Sequence, residues 1–246
     1  MGGRGSSAQR GHIGIKSAAS CKDLKELTDY MWNTHRVYYA KSLSGSDFDT
    51  IKNIAVNTER LFSEFPALKR LQNSNYQPMI KEVTASGHAT GSMYACASYD
   101  GTVSINNKYF GSATTLSSHY AKDVKSGYHP SGTTPDDVFV HETGHLMEAA
   151  LIRINHSSGF GAAWSKCKEA TRVVGEACKA LKKMPAGKTP AGKALTNDQL
   201  VSRVSRYAMK NRSEALAECV ADYYRNGANA NPLSVQVWNI LKRELK

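Results

Sequence analysis

The sequence predicts an α+β fold in which a small mixed sheet precedes one buried helix and a helical second half. Three observations carry this prediction. Strand-like alternation is confined to residues 79–106, Thr134-Pro135-Asp136-Asp137 has the composition of a helix start, and helical periodicity recurs from there onward. At 246 residues the chain is long enough for one substantial core but short for two full domains. The expected organisation is a disordered segment over 1–19, a helical region over 20–75 and the main domain over 76–246.

In chain order, Ser20 is placed to cap a short helix ending near Trp32, and Ser46 a longer one beginning near Asp47. In the longer helix Ile51, Ile54, Ala55, Thr58, Leu61, Phe62 and Phe65 recur at helical spacing, and Pro66 discourages continuation. Met79 to Ala85 reads as a strand, and Tyr94–Tyr99 with Thr102–Asn106 flank Asp100-Gly101, a two-residue hairpin signal. After Thr134 as cap and Pro135 at the first helical position, acids fill the positive first turn. Ala162 to Leu181 is a further helix with Trp164, Cys167, Val174, Cys178 and Leu181 on one side, and the Pro185-Ala186-Gly187 and Pro190-Ala191-Gly192 repeats make a loop. Asn211 and Glu214 have capping-box spacing, and Asn231-Pro232 opens a last helix with Val235, Trp238, Ile240 and Leu241 inward.

Composition narrows the function. With 41% hydrophobic and 22% charged residues the chain is globular, and no apolar run approaches the roughly 20 residues that span a bilayer. The opening lacks the apolar core of a secretory signal, so a cytoplasmic protein is expected, with association with a virion or delivery by another route as the alternatives. Cys21, Cys96, Cys167, Cys178 and Cys219 lack the paired spacing of a zinc knuckle and read as reduced thiols. The net charge of +11 sits mostly in residues 151–246, which hold 17 Lys and Arg against 7 acids. Its densest stretch, Lys166 to Lys193, can attract nucleic acid or an acidic partner, but no aromatic interleaving accompanies it, which favours a solvated face.

The chemistry-bearing segment is Val140-His141-Glu142-Thr143-Gly144-His145. Residues four apart share a helical face, so His141 and His145 can present their imidazoles to a single ion while Glu142 faces a water held by it. Downstream, Glu214, Glu218 and Asp222 follow at four-residue steps, enough for a carboxylate ligand and a second carboxylate that orients a histidine. Two registers are open: Glu214 as ligand with Glu218 behind it, or Glu218 with Asp222 behind it.

HETGH followed by Tyr207-Ala208-Met209-Lys210-Asn211-Arg212-Ser213-Glu214-Ala215-Leu216-Ala217-Glu218 resembles the gluzincin metallopeptidases. The spacing of the tyrosine and the two glutamates is similar to that in catalytic domains of lethal-factor-type toxins and their phage or mobile-element relatives. The resemblance covers mainly residues 94–226, and the opening Met1-Gly2-Gly3-Arg4-Gly5 resembles proteins of bacterial prophages. It implies a zincin-like fold and one Zn2+ per chain held by His141, His145 and Glu214. It further implies Glu142 as general base, Tyr207 as donor to the oxyanion and Glu218 behind a ligating histidine. An edge strand near Thr102–Asn106 would pair with the extended protein or peptide substrate. His119, His129 and His156 are further candidates for helping the oxyanion, and more readily loop residues. The expected activity is hydrolysis of peptide bonds. The alternative is a degenerate zincin-fold binding protein whose basic second half engages nucleic acid or an acidic partner. An intact Glu142 favours catalysis, because a purely structural site needs no base.

Overall fold

The computed structural model describes residues 17–69, 78–85, 89–156 and 168–246. The expected disorder of residues 1–16 lies outside these, as do Trp164, Lys166 and Cys167. Residues 17–19, expected to belong to the disordered start, are ordered: Ala18–Ser20 forms a 3-10 turn with Ala18 fully buried. The helices that follow are α1 (Leu24–His35) and α2 (Phe48–Glu64). Their caps are Asp23 and Asp47, whose carboxylates accept the amides of Glu26 and Thr50, so Ser20 and Ser46 are not the capping residues. Along α2 all seven residues expected to face inward are buried, Phe65 just past its end included. A single turn, α3 (Pro66–Lys69), follows.

The sheet is formed by β1 (Tyr38–Tyr39), β2 (Glu82–Thr84), β3 (Ala95–Ala97) and β4 (Thr102–Ile105), in the order β1-β2-β4-β3. β1 and β2 pair in parallel, as do β2 and β4, whereas β3 runs antiparallel to β4. The segment read as a helical region over 20–75 therefore contributes a strand as well. Two residues are too few to show alternation in a sequence. The β3–β4 connection is a three-residue loop rather than a two-residue one: Gly101 N–H donates to Ser98 O, Ser98 N–H donates to Thr102 O, and Gly101 sits at φ 97°. That is a turn closed by a left-handed glycine. A side chain at Gly101 would also strike the Met79 carbonyl at 2.5 Å.

Two short helices, α4 (Asn107–Phe110) and α5 (Ala113–Lys125), lead from the sheet to α6 (Asp137–Asn155), the HETGH helix. Its first turn reverses the expected cap. Asp137 carboxylate accepts the Thr134 amide at 2.7 Å and the Thr134 hydroxyl, so the acid caps the threonine. The remainder comprises α7 (Glu169–Leu181), α8 (Asn197–Val201), α9 (Arg212–Asn226) and α10 (Pro232–Glu244). Val174, Cys178 and Leu181 face inward on α7 as expected. On α10 Trp238, Ile240 and Leu241 are buried, but Leu233 and Val237 take the place expected of Val235, which is half-buried.

One core runs from Ala18 to Leu245 and does not divide near residue 75. Trp238 stacks on Tyr223 and meets Phe65 edge-on, with ring centroids 4.7 and 4.8 Å away. Lys242 Nζ donates to the Glu64 carbonyl and carboxylate, tying α10 to the end of α2.

At the centre α6 and α9 pack antiparallel. Arg225, near the end of α9, grips the fully buried Asp137 at the start of α6 through Nε and Nη2 at 2.8 and 3.0 Å. Between these ends the helices come close at Gly144, where a Cβ would lie 2.7 Å from the Ala217 Cα. Replacing Gly144 by alanine therefore requires α9 to move. The overpacking costs about 1–3 kcal/mol, against about 1 kcal/mol gained in helix propensity. Gly144→Ala is expected to unfold at lower urea concentration with an unchanged denaturant slope, and an unshifted midpoint would show that α9 yields freely at this contact.

Candidate metal centre

The close approach of α6 and α9 brings three donors together. Glu214 Oε2 lies 3.2 Å from His141 Nε2 and 3.3 Å from His145 Nε2. The three donor atoms fall within 4.8 Å of one another, a set that can hold a metal ion. Two imidazole nitrogens and one carboxylate oxygen suit a borderline divalent cation with an open fourth position. Local chemistry frees Glu214 for this. Asn211 Oδ1 accepts the Glu214 amide as an N-cap, but the Glu214 carboxylate turns to the histidines instead of reaching back to close the box.

Of the two possible registers, the geometry favours Glu214 as the direct donor. Glu218 sits behind His141, with Oε1 2.8 Å from Nδ1, close but not aligned as a hydrogen bond, and 3.0 Å from His129 Nδ1. Asp222 is turned away, accepting the Asn226 side chain and the Asn231 amide at the start of α10.

His145 has its own support, which sequence reasoning missed. Its Nδ1 lies 3.0 Å from Ser213 Oγ, and that hydroxyl donates to Glu148 at 2.5 Å. With Nδ1–H donating to Ser213, the Nε2 lone pair is left for a cation. Glu148 sits one helical turn beyond His145 and Ser213 directly before Glu214. Their adjacency to the ligands was the available signal.

The second oxygen of Glu214 is also engaged. Oε1 accepts from the Tyr207 hydroxyl at 3.1 Å and Lys210 Nζ at 3.2 Å, and Lys210 Nζ donates to the Tyr207 oxygen at 3.3 Å. Burial raises the Tyr207 hydroxyl well above the usual phenol range, as does the Glu214 carboxylate, so it remains a donor. Burial opposes charge on His141, but Glu214 and Glu218 outweigh it and lift the imidazole well above the usual histidine range. Burial likewise opposes charge on the two glutamates, and the facing histidines overcome it: Glu214 is held far below the carboxylate range and Glu218 at about 2.

Glu142 reaches the sheet: its Oε2 accepts the Ala97 amide at 2.7 Å. That donor identifies the edge. Ser98 N–H and Asn106 N–H bond across the β3–β4 pair, so the even-numbered residues of β3 face β4 while Ala95 and Ala97 point their backbone groups outward. The edge strand expected near Thr102–Asn106 is thus corrected. β4 is paired on both sides, by β2 and β3, because the antiparallel return folds β3 over its free flank.

A cleft of about 280 Å³ opens beside the donors, lined by Tyr94, Tyr128, His129, His141, Glu142 and Tyr207 among others. Of the other histidines, His129 lines this cleft, stacked on Tyr120 with rings 4.9 Å apart. His119 meets Tyr109 edge-on, and His156 pairs with Glu169. The basic stretch after residue 168 is partly neutralised within the fold, with Arg172 bridging Glu169 and Glu244. Among the described residues no helix is long and apolar enough to cross a membrane.

Comparison of the chain with protein-family models, curated proteins and solved structures found no match.

Two measurements test the centre. Glu214→Ala is expected to lose metal binding outright, whereas Glu218→Ala should keep it with affinity reduced roughly 10- to 100-fold; the opposite order would move the register by one turn. Protons compete for the same atoms. In the metal-free protein the depressed glutamates contribute stability above the ordinary carboxylate pKa, and it is lost as pH falls through their folded values. The raised His141 contributes stability that is full below the ordinary histidine pKa and is lost as pH rises through its folded value. Metal uptake at pH 8 should therefore release about one proton, which an ordinary histidine would no longer carry. Calorimetry in buffers of different ionisation enthalpy reads that number, and zero release would contradict the charge assignment.

Proposed function

We propose that this chain is a zinc-dependent endopeptidase of the gluzincin type, hydrolysing peptide bonds of a protein substrate. One observation carries the reading: a single carboxylate oxygen, Glu214 Oε2, lies between the two HETGH imidazoles while Glu142 lines the same cleft. A site serving only to stabilise the fold has no use for a carboxylate beside an open cleft. The donors from the two helices suit zinc, and zinc when bound supplies Lewis-acid polarisation of the scissile carbonyl and a water whose pKa falls towards about 7.

The chain's own residues do the rest. Glu142 takes the proton of the attacking water as its oxygen bonds to the carbonyl carbon, and delivers that proton to the amine as the C–N bond breaks. Its hydrogen bond from Ala97 holds the carboxylate towards the cleft. Tyr207, freed from Glu214 Oε1, donates to the carbonyl oxygen as charge develops there, and Lys210 can then hold Oε1 alone. Ala95, in the cleft wall, turns its backbone groups outward, where an extended peptide can add as a strand. Glu218 and the Ser213–Glu148 pair keep the imidazoles aimed.

Glu142→Gln tests this most directly. The amide oxygen can still accept from Ala97, so fold and metal content should persist, while hydrolysis of a peptide library should fall by about 100-fold or more. Wild-type hydrolysis should also vanish with a chelator and return with zinc. Undiminished activity in Glu142→Gln would remove this residue from the mechanism.

A further inference from the structure

We infer that the aromatic arm of the cleft is a subsite for a cationic side chain, with the Asp123 carboxylate as its counter-charge. This deepens the peptidase reading and rests on it for the identity of the ligand as a peptide.

Two residues of opposite charge line the cleft, exposed Lys210 and half-buried Asp123. Lys210 lines it, but its ammonium is already held by Glu214 Oε1 at 3.2 Å and by the Tyr207 oxygen at 3.3 Å. Asp123, near the end of α5, also lines it, and its Oδ2 accepts the Tyr94 hydroxyl at 2.6 Å. No lysine, arginine or histidine among the described residues is paired with Asp123. In a chain with 32 Lys and Arg against 21 acids, an acid left without a basic partner in the candidate site is a selective feature.

Its surroundings match the charge it would take. Tyr94, Tyr120 and Tyr128 line the cleft together with Asp123 and His129. Tyr94 and Tyr120 have ring centroids 5.8 Å apart, and Tyr128 lies 5.1 Å from His129. Aromatic faces attract ammonium and guanidinium groups through their quadrupoles, and they cover the aliphatic stem of lysine or arginine. The Tyr94 hydroxyl fixes one carboxylate oxygen and leaves Asp123 Oδ1 for the incoming cation. A neutral apolar side chain could fill the same space, but it would cover Asp123 and leave a desolvated carboxylate without a counter-charge, a cost that discriminates against it. An acidic side chain would meet Asp123 directly. The net positive charge of the chain repels basic peptides at long range, so the preference should appear in the lifetime of the complex more than in its rate of formation.

The test uses the full-length, zinc-loaded protein and a peptide set varied only at positions flanking the scissile bond, each carrying lysine, arginine, norleucine or glutamate. The wild type should favour lysine or arginine over norleucine at one position by roughly tenfold in kcat/KM. Asp123→Asn keeps an acceptor for Tyr94 and should reduce that preference to about twofold or less. Asp123→Lys should invert it towards glutamate. Hydrolysis that is blind to charge at every position would overturn the subsite and leave the peptidase reading standing. If no peptide is cut, the peptidase reading fails, and binding of the same peptides to the Glu142→Gln protein by calorimetry decides the subsite separately. Tighter binding of the lysine peptide than the glutamate peptide, abolished by adding Asp123→Asn, would uphold it; equal binding would overturn it.

Discussion

The approach of α6 to α9 at Gly144 governs everything else in the candidate site. With the Gly144 position 2.7 Å from the Ala217 Cα by way of a notional Cβ, no side chain can stand between the helices there. That closeness lets the one carboxylate of Glu214 touch both imidazoles, because a glutamate reaches only a few ångströms beyond its own helix. The Asp137–Arg225 pair sets the sliding register of the two helices from the other end. Asp137 is fully buried while Arg225 is partly exposed, so losing Arg225 would leave a buried carboxylate without its counter-charge, which is costly. Proximity and register together determine which glutamate meets which histidine.

Around that contact the charges are arranged in pairs. Glu214 divides its oxygens, Oε2 towards the histidines and Oε1 towards Tyr207 and Lys210. Glu218 serves His141 and His129 at once, and Ser213 bridges His145 to Glu148. Such deeply buried carboxylates are tolerated because each meets hydrogen-bond donors, and a protein of net charge +11 thus keeps an acidic interior at its centre. Asp123 stands apart from this buried set: it is half-buried, and its carboxylate accepts the Tyr94 hydroxyl.

Much of this was legible from local pattern. The i, i+4 spacing of His141 and His145 implies a shared face wherever a helix forms, and the inward stripe of α2 follows from period alone. Asn211 announces the start of α9 by its side-chain chemistry. What could not be read depends on who lies opposite. β1 is two residues long and gains meaning only beside β2. The edge strand was misplaced by one strand because strand order is a tertiary property, although the hairpin itself was visible. His129 and Glu218 are 89 residues apart, so nothing nearby marks either as the partner of the other. The caps shifted from serine to aspartate because Ser20 and Asp23, like Ser46 and Asp47, were both competent, and only the path of the chain decided between them.

The separation of the donors along the chain has a consequence for biosynthesis. His141 is 73 residues ahead of Glu214, with α7 and α8 between them. A ribosome that has released α6 but not α9 has made a helix carrying His141, Glu142 and His145, yet without Glu214, Ser213 or Lys210. Such a nascent chain lacks the contact at Gly144 that would pack the helix, and its hold on a metal is that of two histidines alone. The three donors therefore come together only after α9 has emerged and folded back, so order of synthesis sets when the complete donor set first exists.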